Sequence, residues 1–465
     1  MGLMPPIIMI VLNVAMFGVA LPVVRDEFAI SADMTAWLVT AYTLPFVVMM
    51  PLYGRLGDGL GKRRLFIVGS TIFLMGTTIT LLADTLGGLM LGRVVQGVGA
   101  GCVNPLSIAI ISERFPLQER GLALGTWNAV GPFGAVVGPL LGGFLVDHLG
   151  WRTVFGPVLL VGLGAVWAIK TLVPPGGRAF IQPGFIKMFD WWGVLLLAAG
   201  VTALLFYTSS RPITGVEALR DWRLLALTLL FLGGFIFWEK RRHNPFVNLN
   251  IRRTPGFSRA SLGASIRMFT MSSMFFLAPL YLADVYHLNA TPIGTMLTVH
   301  AAALMVIMRL GGQLADRWGS RYPVMVGATG QTVALIYFAM LPGSVGMGWI
   351  AAGLFVHGLA AGGYLAALHR TAMAAVPTEQ MGMAAGVYSM VRFLGTAVGT
   401  TLVGVVLQYG LERWSVLQAY QVVYWFIAVV AMLGVVVGWG IREDYSTVSR
   451  PSSKPASMTG GSASD

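Results

Sequence analysis

An arginine inside a long apolar segment is the first residue of this sequence that could do chemistry. Arg93 lies in the stretch LMLGRVVQGVGAG, which begins at Leu89 and contains no other charged residue. A charge at the centre of a membrane span costs roughly 2.5–3.5 kcal/mol on insertion scales, so such a side chain usually faces a polar cavity. Gln96, one turn further on, fits that role, and it also fits the alternative, in which Arg93 donates a structural hydrogen bond to a backbone carbonyl.

A second set of charged residues follows the second apolar segment, in the stretch GRLGDGLGKRR that starts at Gly54. An opposite charge near a helix end is favourable, and an ion-pair network can form in one conformation and break in another. Asp58 with Lys62 and Arg63 therefore predicts a conformational latch, which Glu113 at the end of the fourth segment could join. The alternative is that the basic residues serve only as topology signals.

A third stretch, GAVVGPLLGG, carries glycine and proline where a helix is expected. Gly134, Gly138 and Gly142 are four residues apart and line one stripe of that helix, which Gly143 broadens. Pro139 removes a backbone hydrogen bond and can bend the segment. The pattern predicts a smooth, bent hinge packed against the opposite half of the molecule. The alternative is ordinary close packing, because both residue types are common in membrane helices.

The elements that position these residues are expected to be membrane spans. The 465 residues are 56% hydrophobic and only 11% charged, with a mean hydropathy of +0.75, whereas about 25% of the residues in a soluble domain are charged. A hydrocarbon core about 30 Å thick needs about 20 mostly apolar residues per helical span. We therefore predict an all-α polytopic membrane protein with fourteen spans, near residues 5–24, 34–54, 64–83, 86–112, 121–145, 152–173, 190–208, 222–238, 260–283, 292–315, 322–342, 346–370, 382–408 and 418–440.

The basic residues are concentrated in alternate loops, and the other loops are poor in Lys and Arg. The basic clusters contain Arg55, Lys62, Arg63, Arg64, Arg114, Arg120, Lys170, Arg178, Lys187, Lys240, Arg241, Arg242, Arg252, Arg253, Arg259, Arg317 and Arg321. This is the positive-inside pattern, which predicts a plasma (inner) membrane protein with both termini in the cytoplasm. The net charge of +12 therefore reflects topology, and nucleic-acid binding is not expected.

The sequence contains an internal repeat. GRLGDGLGKR aligns with GQLADRWGSR at an offset of 258, which pairs Asp58 with Asp316 and Arg63 with Arg321. Further on, GRVVQGVGAG aligns with GLFVHGLAAG at an offset of 261. We therefore predict two pseudo-symmetric six-helix bundles, residues 1–173 and 257–440, with a linker that holds two extra spans, 174–256, and a disordered cytoplasmic tail, 441–465.

The three stretches resemble transporter motifs. GRLGDGLGKRR is similar to the signature loop of the major facilitator superfamily, LMLGRVVQGVGAG to its fourth-helix motif, and GAVVGPLLGG to the fifth-helix motif of its antiporters. With fourteen spans and the stretches VALP, GWR and VRFLGTAVGT, the chain resembles the fourteen-helix drug:proton antiporters of the EmrB/QacA type over about residues 11–440. The resemblance implies the major facilitator fold and multidrug efflux, in which small amphipathic or lipophilic compounds are exported by alternating access and proton antiport.

The resemblance also implies roles for individual residues. Arg93 would take part in proton coupling, and Gly134, Gly138, Pro139, Gly142 and Gly143 would form the antiporter hinge. The loops that control the switch between open states would contain Gly54, Asp58, Gly61, Lys62, Arg63, Asp316 and Arg321. The partners would be a small-molecule substrate, protons and the lipid bilayer, and exporters of this type sometimes work with a periplasmic adaptor protein.

The first helix departs from the family pattern. The antiporters usually carry L-D-x-T-x-x-N-x-A-L-P, whereas this chain has LNVAMFGVALP, so Asn13, which cannot carry a proton, replaces the aspartate. Glu113 and Asp284 are the best remaining carboxylates, although Asp284 also fits an outer loop, and His300 and His369 titrate in the right range. A uniporter or a metabolite carrier, for a siderophore or a lipid, is the alternative function, and a non-transporting membrane sensor is a third.

The expected substrate cavity contains Asn13, Trp37, Tyr42, Gln96 and Arg392. The chain has 25 Met, 25 Phe and 13 Trp residues, which suit apolar or lipophilic-cation cargo but serve equally in lipid-facing and core packing. Cys102 is the single cysteine, which excludes a disulfide or a cysteine metal site. With no G-x-x-x-x-G-K-[ST] loop for a nucleotide, we expect no enzyme activity, no cofactor and no ATP-driven transport.

Overall fold

The computed structural model describes residues 2–174, 189–242, 254–376 and 381–441. Within these ranges, the side chains of nine residues lie outside the description: Asp58, Leu117, Gln118, Arg120, Gly121, Arg309, Met381, Gly382 and Met383. Most of the expected tail, 441–465, and parts of the expected linker, 174–256, also lie outside the described residues.

Fourteen helices in the described ranges are long and apolar enough to cross a membrane, as predicted. They are α1 (Met4–Glu27), α2 (Ala32–Leu60), α3 (Lys62–Leu81), α4 (Leu86–Arg114), α5 (Leu117–Leu149), α6 (Phe155–Leu172), α7 (Trp191–Thr208), α8 (Trp222–Arg241), α9 (Pro255–Tyr286), α10 (Ala290–Trp318), α11 (Arg321–Met340), α12 (Met347–Ala374), α13 (Met381–Leu411) and α14 (Val416–Trp439). Two helices have a break: α4 consists of Leu86–Ala100 and Val103–Arg114, and α12 of Met347–Gly363 and Leu365–Ala374. Short helices at Trp151–Val154 and Arg211–Thr214 lie in loops.

Two of the connections are single tight turns that need glycine. Gly61 has a φ of 92° between α2 and α3, and Gly319 has a φ of 79° between α10 and α11. A side chain with a Cβ rarely adopts this left-handed region, so the glycine of each repeat is required by the backbone. Each turn sends the next helix straight back across the membrane.

Helices α1–α6 form one bundle and α9–α14 form another, here called the N-half and the C-half. In the N-half, α1 packs on α5 and α6, and α3 packs on α4 and α6. In the C-half, α9 packs on α13 and α14, and α11 packs on α12 and α14, which is the same arrangement. The predicted fold, two similar six-helix bundles with a central helix pair, is therefore confirmed.

The two halves meet mainly along two helix pairs. Helix α5 packs against α10, and α2 packs against α13, so each half contributes the equivalent pair of helices. The central helices α7 and α8 pack on each other, and α7 also contacts α2 and α13. The space enclosed by α1, α2, α5 and their C-half counterparts lies at the middle of the molecule.

The two ends of the bundle carry different loops. We call the end with the turns at Gly61 and Gly319 the basic face, because Lys62, Arg63 and Arg321 follow those turns. The other end, with the connections from α1 to α2 and from α9 to α10, is the opposite face. An even number of spans separates the two turns, so the repeated loops lie on the same face.

Candidate functional site

A cavity of about 410 Å³ lies between the two halves. Its wall is formed by α1, α2, α4, α5, α9, α10, α12 and α13. The apolar lining consists mainly of Ile7, Ile10, Val11, Val14, Phe17, Leu21, Val39, Phe46, Val47, Met268, Met271, Phe275, Phe276, Leu304, Met308, Leu365 and Phe393. Because Ile7 is near the start of α1, on the basic face, the cavity extends toward that face.

Arg93 lies in the cavity wall and is fully buried. Its Nε donates to the carbonyl of Leu38 (3.2 Å) and its Nη1 donates to Oε1 of Gln96 (3.0 Å). The guanidinium carbon lies 4.2 Å from the centre of the Phe17 ring and 4.6 Å from that of Tyr42. The backbone hydrogen bond given as the alternative is therefore present, together with a side-chain network and two cation–π contacts.

The polar network continues behind Arg93, away from the cavity. Gln96 donates from Nε2 to Oδ1 of Asn13 (3.1 Å) and to Oγ1 of Thr77 (3.0 Å). Asn13 and Gln96 are both buried and neither lines the cavity, whereas Tyr42 does. The expectation that Asn13 and Gln96 line the cavity is corrected: they hold Arg93 in place from behind.

Trp37 also lies away from the cavity. Its indole N–H donates to Oγ of Ser209 (3.1 Å), and its ring packs edge-on against Phe206 on α7. Trp37 and Tyr42 are five residues apart, which on a helix with 3.6 residues per turn separates their directions by roughly 140°. The side chain that points into the cavity is therefore Tyr42, and Trp37 fixes α2 to the central pair.

The C-half contributes two arginines to the cavity wall, Arg267 and Arg392. Arg267 donates from Nε to the carbonyl of Ala361 (2.6 Å), and its guanidinium lies 5.8 Å from the Tyr364 ring. The guanidinium of Arg392 lies 4.5 Å from the ring of Phe393. Arg392, which the sequence assigns to the cavity, is in its lining.

A buried histidine pair in the C-half is the feature that the sequence did not reveal. Nε2 of His300 and Nδ1 of His357 are 3.0 Å apart, and Nε2 of His357 is 3.5 Å from Nε2 of Gln331. At the repeat offset of 261, His357 takes the place of Gln96, the centre of the N-half network. That alignment was the signal available in the sequence, because each half has its polar network at the same position.

Neither Glu113 nor Asp284 lines the cavity. Glu113 forms an ion pair with Lys62 on the basic face. Asp284 lies at the opposite face, where it accepts two hydrogen bonds from Arg25, at 2.7 and 2.6 Å, and one from the hydroxyl of Tyr420 at 2.6 Å. The Arg25–Asp284 pair joins the N-half to the C-half.

The repeated loops on the basic face are tied to their own halves. Gly54 approaches Pro105 on α4, and Arg63 donates to the carbonyls of Ile169 and Lys170 on α6. The side chain of Asp58 lies outside the described residues. In the second copy, Asp316 is 3.6 Å from Arg370 on α12, and Arg321 lies 5.6 Å from the Trp439 ring.

The glycine stripe of α5 packs mainly against its own half. A Cβ on Gly138 would lie 2.6 Å from Cβ of Ala15, and one on Gly142 would lie 2.9 Å from Cα of Met16, both on α1. Gly134 likewise faces Val11 on α1. The expected contact with the opposite half is made by Gly143, where a Cβ would lie 2.5 Å from the carbonyl oxygen of Ala290 on α10, and by Pro139, whose carbonyl closely approaches Gly294.

That distribution corrects the expected packing of the stripe. Successive residues of a helix point about 100° apart, so adjacent glycines cannot share a partner helix. The result places α5 between α1 and α10, with close backbone approach on both sides.

Two equivalent caps close the opposite face across the halves. Asp147, at the end of α5, accepts hydrogen bonds from the backbone N–H groups of Ala290 (2.9 Å) and Thr291 (2.8 Å), at the start of α10. Gln408, near the end of α13, accepts one from the N–H of Ala32 (2.9 Å), at the start of α2. Asp147 and Gln408 are related by the repeat offset of 261, so each half caps the second helix of the other.

Further contacts support this closure. Thr298 donates to the carbonyl of Val136 (3.2 Å), and the hydroxyls of Thr40 and Thr401 are 3.0 Å apart. At the same face, Arg211 in the loop between α7 and α8 pairs with Glu412 at 2.6 Å, which joins the central helix pair to the C-half. The hydrogen bond from Gln408 and the charge of Arg211 hold the pKa of Glu412 below its ordinary value. The cross-half bonds described here lie in the part of the molecule nearer the opposite face, while the cavity extends toward the basic face.

Comparisons with known proteins agree with this architecture. Residues 7–400 match the family model described as Major Facilitator Superfamily. The chain is 29% identical over 404 residues to multidrug resistance protein Stp of Mycobacterium tuberculosis, covering 86% of this chain and 73% of that protein. It is 27% identical over 444 residues to the riboflavin transporter RibZ of Clostridioides difficile, covering 93% and 94%.

Among solved structures, the fold is similar to that of a bacterial homologue of the human lysosomal transporter Spinster. The TM-score is 0.63 at 18% sequence identity, with 95% of this chain and 94% of that chain covered. At this identity the likeness concerns the fold.

Proposed function

The chain belongs to the major facilitator superfamily, so it is a membrane transporter of small molecules and not an enzyme. We propose that it exports small amphipathic compounds by alternating access with proton antiport. The observation that carries the proposal is the mainly apolar cavity between two similar halves, with cross-half contacts near one face. Stp, one of its relatives, is named as a multidrug resistance protein. Apolar walls with a few polar groups suit amphipathic ligands.

The proposed cycle exchanges contacts at the two faces. Opening of the opposite face requires the caps at Asp147 and Gln408 and the Arg25–Asp284 pair to break. The close backbone approach of α5 to α1 and α10 lets the halves rock as rigid bodies, which is the hinge role proposed for Gly134, Gly138, Pro139, Gly142 and Gly143. We take the basic face as cytoplasmic, in the plasma membrane, because Lys and Arg favour that side.

The basic-face loops are proposed as the second gate. Lys62 with Glu113 in the N-half and Asp316 with Arg370 in the C-half fix each loop to its own bundle in the present conformation. When the basic face closes, the loops of the two halves approach each other, and Asp58, Gly54, Gly61, Arg63 and Arg321 lie in the region that must rearrange.

For proton coupling we propose Asp284 and Glu113 as the titrating carboxylates, with Arg93 acting from the cavity wall. Asp284 accepts from Arg25 and Tyr420 at the opposite face, so its protonation removes the ion pair that joins the halves there. A proton arriving from outside therefore favours opening on that side, and its later release to the cytoplasmic side lets the pair form again and the face close, so that one proton moves inward as the substrate leaves. Arg93 contacts both the cavity and the buried network that ends at Asn13.

Transport in membrane vesicles tests the proposal. Inverted vesicles are given a pH gradient with an acid lumen, which corresponds to the outside of the cell. The uptake of a fluorescent amphipathic compound is then compared with and without a protonophore. Uptake that depends on the gradient and falls in Asp284→Asn is expected. Uptake that is the same with and without the gradient would refute the coupling. A complete lack of uptake for every amphipathic probe would refute export. Arg223→Gln, which changes a residue of α8 away from the cavity, is the matched control.

A carrier without proton coupling is the second candidate, and Asn13 is the observation that favours it. The antiporters usually have an aspartate at this position, whereas here a neutral amide accepts from Gln96, which in turn accepts from Arg93. The relative RibZ is named as a riboflavin transporter, which fits a metabolite carrier. Native uptake that does not depend on the gradient supports the carrier, and dependence that then appears in Asn13→Asp assigns the difference to this position. Gradient dependence that is present in the native protein and unchanged in Asn13→Asp supports the antiporter.

A further inference from the structure

The charged residues in the described cavity wall are all basic: Arg93, Arg267 and Arg392. A cation inside the membrane region is costly unless it is paired, and such residues usually mark a functional site. Arg93 is surrounded by hydrogen-bond acceptors and aromatic rings of the N-half. Arg267 and Arg392 are both cations, and among the described residues of the cavity wall neither has a carboxylate to balance its charge.

A stripe of polar atoms without partners runs along α13. Nε of Arg392 and the hydroxyls of Thr396 and Thr400 are buried and make no hydrogen bond to any residue that the structure describes. The three residues are four apart, so they share one helix face, and all of them line the cavity. A buried threonine normally donates to its own helix, as Thr401 does to the carbonyl of Ala397 at 2.8 Å. These three groups therefore have unused hydrogen-bonding capacity beside the cavity.

The equivalent face of α5, in the N-half, is apolar. At the repeat offset of 261, Arg392 and Thr396 correspond to Gly131 and Ala135 on α5, and both of these also line the cavity. The duplicated helices thus present donors on one side and apolar surface on the other. Fold symmetry does not require this difference, which suits a ligand with one polar end and one apolar end.

We propose that the α13 stripe, with Arg267, binds the anionic group of an amphipathic organic anion, such as a carboxylate or sulfonate. Two guanidinium groups supply charge-assisted hydrogen bonds, and Thr396 and Thr400 supply hydroxyl donors. The apolar body of the ligand lies against α1 and α5. The proposal names the substrate class of the transport function proposed above and rests on it, and it replaces the lipophilic cation that the composition suggested.

Binding of three matched fluorescent probes to the full-length protein in lipid nanodiscs tests the site. Dansylglycine carries a negative charge, dansylglycine amide is neutral, and N-dansylethylenediamine carries a positive charge, while the fluorophore is the same. The native protein is expected to bind dansylglycine at least about tenfold more tightly than the other two, because hydrogen bonds to charged groups are the strong ones.

Variants locate the charge preference. Arg392→Gln is expected to weaken dansylglycine binding by about tenfold to a hundredfold, with little change for the neutral amide. Arg392→Lys keeps the charge and is expected to recover part of the preference, which a folding defect could not do. Thr400→Val is expected to weaken dansylglycine binding by about threefold to tenfold, whereas Thr332→Val, on α11 and bonded to its own helix, is the matched control.

Two results would overturn the assignment: a native protein that binds the cation as tightly as the anion, or an Arg392→Gln variant that weakens all three probes equally. Failure of the transport proposal is distinguishable, because vesicles would then fail to move dansylglycine across the membrane while nanodiscs still bound it in preference to the amide.

Discussion

Replacing Asp147 with alanine is expected to open the opposite face. The carboxylate caps α10 across the halves through two backbone N–H groups, those of Ala290 and Thr291. Loss of an N-cap costs about 1 kcal/mol, with a range of about 0.5–2, and loss of a negative charge at a helix N-terminus costs about 0.3–1 kcal/mol more. A total of about 1–2 kcal/mol changes the ratio of closed to open molecules by about fivefold to thirtyfold.

Thiol labelling from outside measures that ratio. Val14, which lines the cavity, is replaced by cysteine in a Cys102→Ala background, and right-side-out vesicles are treated with a membrane-impermeant thiol reagent. With Asp147→Ala the labelling rate is expected to rise by about the same factor. Asp147→Asn keeps an acceptor oxygen but loses the charge, so its labelling rate should lie between that of Asp147→Ala and that of the protein with Asp147.

The matched control is Thr85→Ala, which removes an N-cap on the same face, at the start of α4, without crossing between the halves. Equal labelling in Asp147→Ala and Thr85→Ala would refute the reasoning, because the cross-half position of the cap would then have no effect on the opening of the face.

Three further outcomes are expected. Gly142→Val should abolish transport and lower thermal stability, because its Cβ would lie 2.9 Å from the backbone of Met16; a wild-type melting temperature with normal transport would contradict the packing. Arg93→Gln should leave dansylglycine binding within about threefold but reduce gradient-driven transport at least about tenfold in vesicles, since its hydrogen bonds are satisfied within the N-half; equal losses in both assays would contradict that separation. The lowered pKa of Glu412 means that its contact with Arg211 is fully present above the ordinary glutamate range and is lost as pH falls through the lowered value. Glu412→Gln should therefore change thiol labelling at the opposite face at neutral pH, and equal labelling of the two proteins at neutral pH would contradict a role of this pair in closure.

The membrane helices were predictable from composition and apolar run length, but their ends were not. The second span was expected to end near residue 54, whereas α2 continues to Leu60, because the helix runs on in polar sequence up to the turn at Gly61. Hydropathy records where apolar residues stop, while the helix ends where the backbone needs a positive φ.

Part of the candidate site was predictable because a charged residue within an apolar span usually faces a cavity, as Arg93 and Arg392 do. The direction of Trp37 was not, since either face of α2 could meet another helix. The caps made by Asp147 and Gln408 depend on which helix of the other half lies opposite, and that contact is set by tertiary packing. Asp147 and Gln408 are equivalent at the repeat offset, but their shared role as caps is recognisable only when the residues that they contact are known.

Reciprocal movement of the two faces tests alternating access most directly. Spin labels are placed at Asp84 and Gly346 on the opposite face, and in a second sample at Arg64 and Tyr322 on the basic face, both in Cys102→Ala. Distances are then measured in nanodiscs, with and without Asp147→Ala. The rocking of two halves about a central cavity predicts that the opposite-face distance lengthens while the basic-face distance shortens in the same fraction of molecules. Distances that lengthen together, or a basic face that stays unchanged when the opposite face opens, would contradict it.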